Sequence, residues 1–347
     1  MHRRHTSEEP HGRSSGWVLL LLLLTALVCT VLLALCVGKY PVTLRESIEV
    51  LVGQLTGVRG DWAEMTENVV LRLRLPRVLA AVIVGASLSI SGATYQGLFR
   101  NPLISPDFLG VSSGACIGAA LAILFSLSAV SIQFFAFCGG ILAVSLTAAL
   151  PKLLRRESNI FLVLSGIIVS GAMGSVMGLI KYVADPGSQL PAITYWQMGS
   201  LANAGFRVLW STLLPFAVCT VLLVRLAWWI NIVSLGERDA RILGANVPVI
   251  RTIAIACATL LTAGAVSISG TIGWIGLVIP HFGRMIAGED NRRLIPVSAL
   301  LGGIFLLAVD TVGRTIGKAE LPLSILTGLI GAPFYAWLLW RSKSKWT

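Results

Sequence analysis

Apolar runs of about 20 residues, divided by short polar or charged breaks, recur from position 17 almost to the end of the chain. The first, WVLLLLLLTALVCTVLLALCV at 17–37, carries no charge. Others fall near 75–98, 107–127, 130–150, 160–181, 208–230, 250–270, 272–287, 294–312 and 322–340. About 20 helical residues at ~1.5 Å rise cross a hydrocarbon core of ~30 Å. The pattern therefore predicts an all-α polytopic membrane protein of about ten spans, with a polar tail at 1–16 and one membrane domain over 17–347. A secretory signal is the other reading of 17–37, but its apolar region covers only about 7–15 residues before a small-x-small site. Leu35 is also too large for the position before Cys36 in a lipoprotein cleavage box, so the run reads as an uncleaved first span.

Composition agrees. Of 347 residues, 55% are hydrophobic and 12% charged, against about 25% charged in soluble domains. The net charge of +11 would suggest nucleic acid in a soluble chain. Here the basic residues lie mostly between apolar runs, where topology explains them and no nucleic-acid partner is expected. Loops 151–156, 225–251 and 284–293 are basic and join both termini on one side, which the positive-inside rule makes cytoplasmic. Residues 39–77 break the rule with Lys39, Arg45, Arg59, Arg72, Arg74 and Arg77. They read either as a solvated outer helix or as a place where Arg72, Arg74 and Arg77 face an acidic partner.

The 35 glycines include pairs four apart, Gly114/Gly118, Gly174/Gly178 and Gly313/Gly317, which let helix backbones approach closely in lipid. GASLSISG at 85–92 and GAVSISG at 264–270 echo one another in helices of opposite direction, as inverted transporter repeats do. Asp310 lies four residues before Arg314, one helical face, and reads as a self-neutralised pair rather than a proton relay.

Catalytic and metal chemistry find no support. Cys29, Cys36, Cys116, Cys138, Cys219 and Cys257 sit singly in apolar runs, without metal-ligand spacing. GRTIGKA at 313–319 has three residues, not four, before its GK, and Ala319 where a phosphate loop needs Ser or Thr. His281 stands alone outside the N-terminal tail and reads as structural. Any ATP and magnesium must bind a partner subunit.

Five ordered stretches carry a family resemblance: RLPRVLAAVIVGASLSISGATYQGLFRNPLISPDFLGVSSG (74–114), YWQMGSL (195–201), GERDARILGANV (236–247), GTIGWIGLVIPHFGRMIAG (270–288) and ELPLSILTGLIGAPFYAWLL (320–339). They resemble the FecCD permeases of binding-protein-dependent ABC importers for iron-siderophores, haem and cobalamin. The resemblance implies the cobalamin-importer type of fold, with no enzymatic activity in the subunit. It implies a homodimer in the bacterial inner membrane, two cytoplasmic ATPase subunits, a periplasmic binding protein and a route along the two-fold axis.

The same resemblance assigns roles. Glu237, Arg238, Ala240, Arg241, Leu243 and Gly244 correspond to the coupling helices that fit the ATPase, Arg74, Arg77 and Arg314 to arginines that receive binding-protein glutamates, and Asn101, Leu103, Ser158 and Asn159 to cytoplasmic gate loops. The implied function is ATP-driven import of a metal chelate. Import of molybdate or another oxyanion on the same fold, and an ion-coupled carrier, are the alternatives; few buried acids stand against the carrier.

Overall fold

The computed structural model describes residues 12–342 except 59, 61, 156, 157 and 318. Residues 1–11 of the expected tail, Arg59, Asp61, Arg156, Lys318, Lys343 and Lys345 therefore lie outside the described residues. Among those described, every regular element is helical: α1 Gly12–Cys36, α2 Leu44–Thr56, α3 Glu64–Asn68, α4 Leu75–Phe99, α5 Val111–Leu124, α6 Ala129–Leu153 and α7 Asn159–Val183. After them come α8 Gln189–Gln197, α9 Phe206–Ser234, α10 Glu237–Ile242, α11 Val247–Ser269, α12 Ile275–Ala287, α13 Asn291–Gly313 and α14 Leu323–Ser342. A π-turn at Val69–Arg74 leads into α4, and a 3-10 turn at Pro106–Leu109 into α5.

Seven of these helices are long and apolar enough to cross a bilayer; α5, α12 and α14 are apolar but shorter. Together they occupy the ten expected places. Helix α1 starts at Gly12, inside the expected tail, because a helix once nucleated extends at little cost. Helix α9 continues to Ser234, which puts Arg225 in a helix rather than a loop. Local chemistry marks the ends: Ser128, Ser158 and Asp290 side chains cap α6, α7 and α13.

Helix α4 is the hub, packed against α9, α11, α12 and α13. A side chain at Gly85 would strike the Gly302 carbonyl, and one at Gly92 the Gly276 carbonyl. Gly114 and Gly118 bring α5 onto α6 at Gly139 and Phe135 in the same way. The other two glycine pairs do not behave as expected. Around Gly174 and Gly178 there is open space, and Gly317 lies beyond the end of α13. The two stretches of the sequence echo end differently: Gly92 sits inside α4, whereas Gly270 ends α11 with a positive φ of 69°.

Alternating spans give the molecule two ends. One, here the α10 end, carries α10 and the turns α6–α7 and α12–α13. The opposite end carries α2, α8 and the 314–322 segment. One buried core, with Tyr95, Leu98, Leu223, Ile230 and Ile295, lies toward the α10 end. Another, with Leu35, Val78, Leu201, Ile275 and Leu306, lies toward the opposite end.

Candidate functional site

At the α10 end, two glycines frame a six-residue helix. Gly236 (φ 128°) and Gly244 (φ 82°) both take conformations that a side chain disfavours, which lets the chain reverse sharply on each side of α10. Ala240 is fully buried and anchors the helix: its N–H donates to the Gly236 carbonyl, and its own carbonyl accepts from Ala245 N–H. Glu237 accepts from Arg251 Nη2 at 2.7 Å, tying α10 to α11, with Arg241 at 3.7 Å from the same carboxylate. Arg238, Asp239 and Arg241 are exposed. So are Ile242 and Leu243, two large apolar side chains at an otherwise charged tip.

The expected gate residues lie close to this element. Ser158 lines the same cleft as Glu237, Arg241 and Arg251; the cleft has a volume of about 770 Å³ and runs along α6 and α11 to Thr259. The Ser158 hydroxyl accepts from Phe161 N–H, which starts α7, and Asn159 is the first residue of that helix. Asn101 accepts from Leu103 N–H at 2.9 Å, holding a tight turn that leaves Leu103 exposed. The adjacent Arg100 guanidinium approaches Gly236, so this turn also borders α10.

Helix α7 presents a long uncovered seam. Ile160, Leu164, Ile167, Gly171, Gly174, Gly178 and Tyr182 recur at three- and four-residue spacing, and all are exposed. A side chain added at any of the three glycines would meet nothing within 4 Å. Beside the seam, Ser112, Cys116, Met173, Met177, Gln197 and Thr271 line a second hollow of about 360 Å³.

The opposite end gathers the three arginines expected to face a partner, and turns them inward. Arg74 is buried and donates to the carbonyls of Leu35, Cys36 and Tyr40 at 2.5–2.9 Å. Arg314, also buried, donates to the Ala34 carbonyl. The last carbonyls of a helix lack intrahelical partners and carry partial negative charge, so both arginines cap α1. The expected Asp310–Arg314 pair does not form. Asp310 is taken by Arg77, which approaches at 2.8–3.1 Å and also reaches Glu320 at 2.8 Å. Arg77 wins because its fork spans both carboxylates, while Arg314 reaches Ala34. The Arg77 hydrogen bond holds the Glu320 carboxyl below its ordinary range.

Two residues with a structural role escaped the sequence reading. Gln96, buried in α4, accepts from Arg284 Nη1 at 2.6 Å and donates to carbonyls of Gly276 and Leu277. Asn231 bridges the end of α9 to Asp290 and Asn291. In both cases the available signal was an amide at the edge of an apolar run, which must find partners when buried.

The sequence matches the FecCD transport family over residues 24–341. The chain belongs to that family. It is similar to the molybdate import system permease protein MolB of Haemophilus influenzae, 37% identical over 91% of this chain and 94% of that protein. It is also similar to the hemin transport system permease protein HmuU of Yersinia pestis, 38% identical over 79% of this chain and 84% of that protein. A solved structure described as an inward-facing conformation of a putative metal-chelate type ABC transporter superposes with TM-score 0.84 at 36% identity, covering 93% of this chain and 99% of that one. This FecCD protein is therefore an importer permease subunit and not an enzyme. The family implies an ATPase and a binding protein as partners and a multi-pass place in the bacterial inner membrane.

Proposed function

We propose that two copies of this FecCD permease form an ATP-driven importer that carries a metal chelate, a ferric siderophore, haem or cobalamin, from periplasm to cytoplasm. The observation that carries the ATP drive is α10, a short helix anchored by buried Ala240 with Ile242 and Leu243 exposed at its tip. Apolar side chains held out on a rigid, charged element suit insertion into a cleft of an ATPase subunit. Movement of α10 would pass to the Ser158 and Asn101 turns that border it, closing or opening the route at its cytoplasmic mouth. Both termini are then cytoplasmic, ATP and magnesium stay on the ATPase, and the permease supplies no cofactor site.

The uncovered α7 seam supports the second copy. Glycines spaced for close backbone approach, with nothing against them in one protomer, fit a neighbouring helix or a passing substrate at the two-fold axis. At the periplasmic end, docking of a binding protein works through exchange: an incoming carboxylate takes Arg77 from half-exposed Glu320, while Arg74 and Arg314 hold α1 in place.

A molybdate cargo is the second reading, favoured by the similarity to the Haemophilus permease over nearly the full chain. Liposomes containing the permease, its ATPase and its binding protein separate the two when offered radiolabelled ferric siderophore, haemin, cobalamin and molybdate. The proposal expects uptake of one chelate only with ATP. Uptake of molybdate alone supports the second reading, and uptake driven by a proton gradient without ATP overturns both.

A further inference from the structure

We propose that α2 lies in the membrane interface at the end opposite α10, with its exposed apolar stripe seated in lipid. This goes beyond the transport role and does not depend on the cargo. Helix α2 is built to stand as a helix: Thr43 and Glu46 form a reciprocal capping box, and Gly57 ends it in a left-handed conformation. Its sides divide into three. Ser47, Val50 and Leu51 face the protein, where Val50 joins a small core with Val42, Val69 and Val70. Arg45 and Glu49 form a 2.7 Å ion pair on a side open to water. Between them, at about 100° per residue, Leu44, Leu55, Ile48 and Val52 fill a sector roughly 80° wide. These four side chains are 49%, 87%, 41% and 50% exposed.

Depth selects the occupant. The first span, Gly16–Cys36, has 21 residues, or about 32 Å of helix against a hydrocarbon core of ~30 Å. Cys36 thus marks the edge of the hydrocarbon. Its sulfur lies 3.7 Å from the buried Ser47 hydroxyl, which fixes the middle of α2 at that edge. Leu33 and Val37, beside Cys36, are exposed as well, so the apolar surface of α1 continues toward the α2 stripe. A helix at this depth, with one apolar and one charged open side, meets the conditions for lying at the headgroup boundary. The stripe would clamp the segment that leads into Arg74 and Arg77, holding that end of the protein level with the membrane.

Spin labels at Ile48→Cys, Leu55→Cys and Glu49→Cys test this in the full-length dimer. Exposed Cys29 and Cys138 would be replaced by Ala, and the protein held in phosphatidylethanolamine–phosphatidylglycerol nanodiscs. Labels at 48 and 55 are expected to collide mainly with oxygen, which partitions into lipid, and the label at 49 mainly with a water-soluble nickel chelate. Nickel access at 48 and 55 equal to that at 49 would place α2 in water and overturn the proposal. Shielding of 48 and 55 from both reagents would mean that protein covers the stripe, and would overturn it too. Position 55, near the free end of the helix, keeps the test valid if Ile48→Cys fails to fold.

Discussion

Helices α4 and α7 are both long apolar spans, yet 83% of the apolar stretch of α4 is buried and only 22% of that of α7. Their glycines show why. Gly85 and Gly92 of α4 face backbone carbonyls of neighbouring helices, whereas Gly171, Gly174 and Gly178 of α7 face open space. Around the α4 glycines, Ser87, Ser89, Ser91, Thr94, Tyr95 and Gln96 are buried, with Ser91 donating to Ala258 and Tyr95 within 3.0 Å of Thr259. Small residues are thus structural mortar in one helix and lie uncovered in the other. Composition alone does not separate the two uses.

Substitution should break the contrast most sharply at the glycines. Gly92→Val must push α4 off α12, and overpacking of this kind costs about 3 kcal/mol or more; the expected outcome is loss of monodisperse protein in size-exclusion chromatography. Gly174→Ala adds a methyl group that meets nothing in the protomer, so its unfolding temperature should match the native protein's while dimer-dependent transport falls. Equal damage from both would erase the distinction.

Next in size is the charged end of α4. Asp310→Asn leaves Arg77 only Glu320, and half-breaking a buried pair costs about 3 kcal/mol, measurable as a lower thermal midpoint. At the α10 end, Ala240→Glu places a carboxylate where no space or partner exists. The permease should stay folded, with α10 displaced and ATPase co-purification lost. Retained co-purification would remove α10 from the coupling role.

The smallest effect is pH-dependent. The Arg77 hydrogen bond lowers the Glu320 carboxyl below its unperturbed value of 4.5. A depressed carboxylate contributes stability above its unfolded value and loses it as pH falls through the folded one. Thermal stability from this pair should be constant from neutrality down to about pH 4.5 and decline below it. Glu320→Gln should remove that acid limb, at a cost under about 1 kcal/mol because the group is partly exposed.

Seven of the spans were legible because each is a run of about 20 apolar residues, a signal that survives without tertiary information, and α5, α12 and α14 showed as shorter apolar runs between them. α10 was legible through the GERDARILGANV stretch at 236–247, which resembles the coupling-helix segment of FecCD permeases. The arginine partners were not. Asp310 is 233 residues from Arg77 and the Leu35 carbonyl 39 from Arg74, and a backbone acceptor leaves no trace in side-chain pattern. The Asp310–Arg314 expectation failed for that reason: four-residue spacing shows which groups share a face, not which rival lies across from them. The same limit hid the fate of Gly174 and Gly178, whose spacing matched that of Gly114 and Gly118.

The most direct test of the account is cross-linking through position 174. With the exposed cysteines Cys29 and Cys138 replaced by Ala, Gly174→Cys in native membranes should yield a covalent dimer with a short bis-methanethiosulfonate linker. Under the proposed dimer, the yield should also change when ATP is added to the assembled transporter, since a seam at the two-fold axis would move with it. A residue 174 that is labelled from lipid and never joins two copies would contradict the assignment of α7.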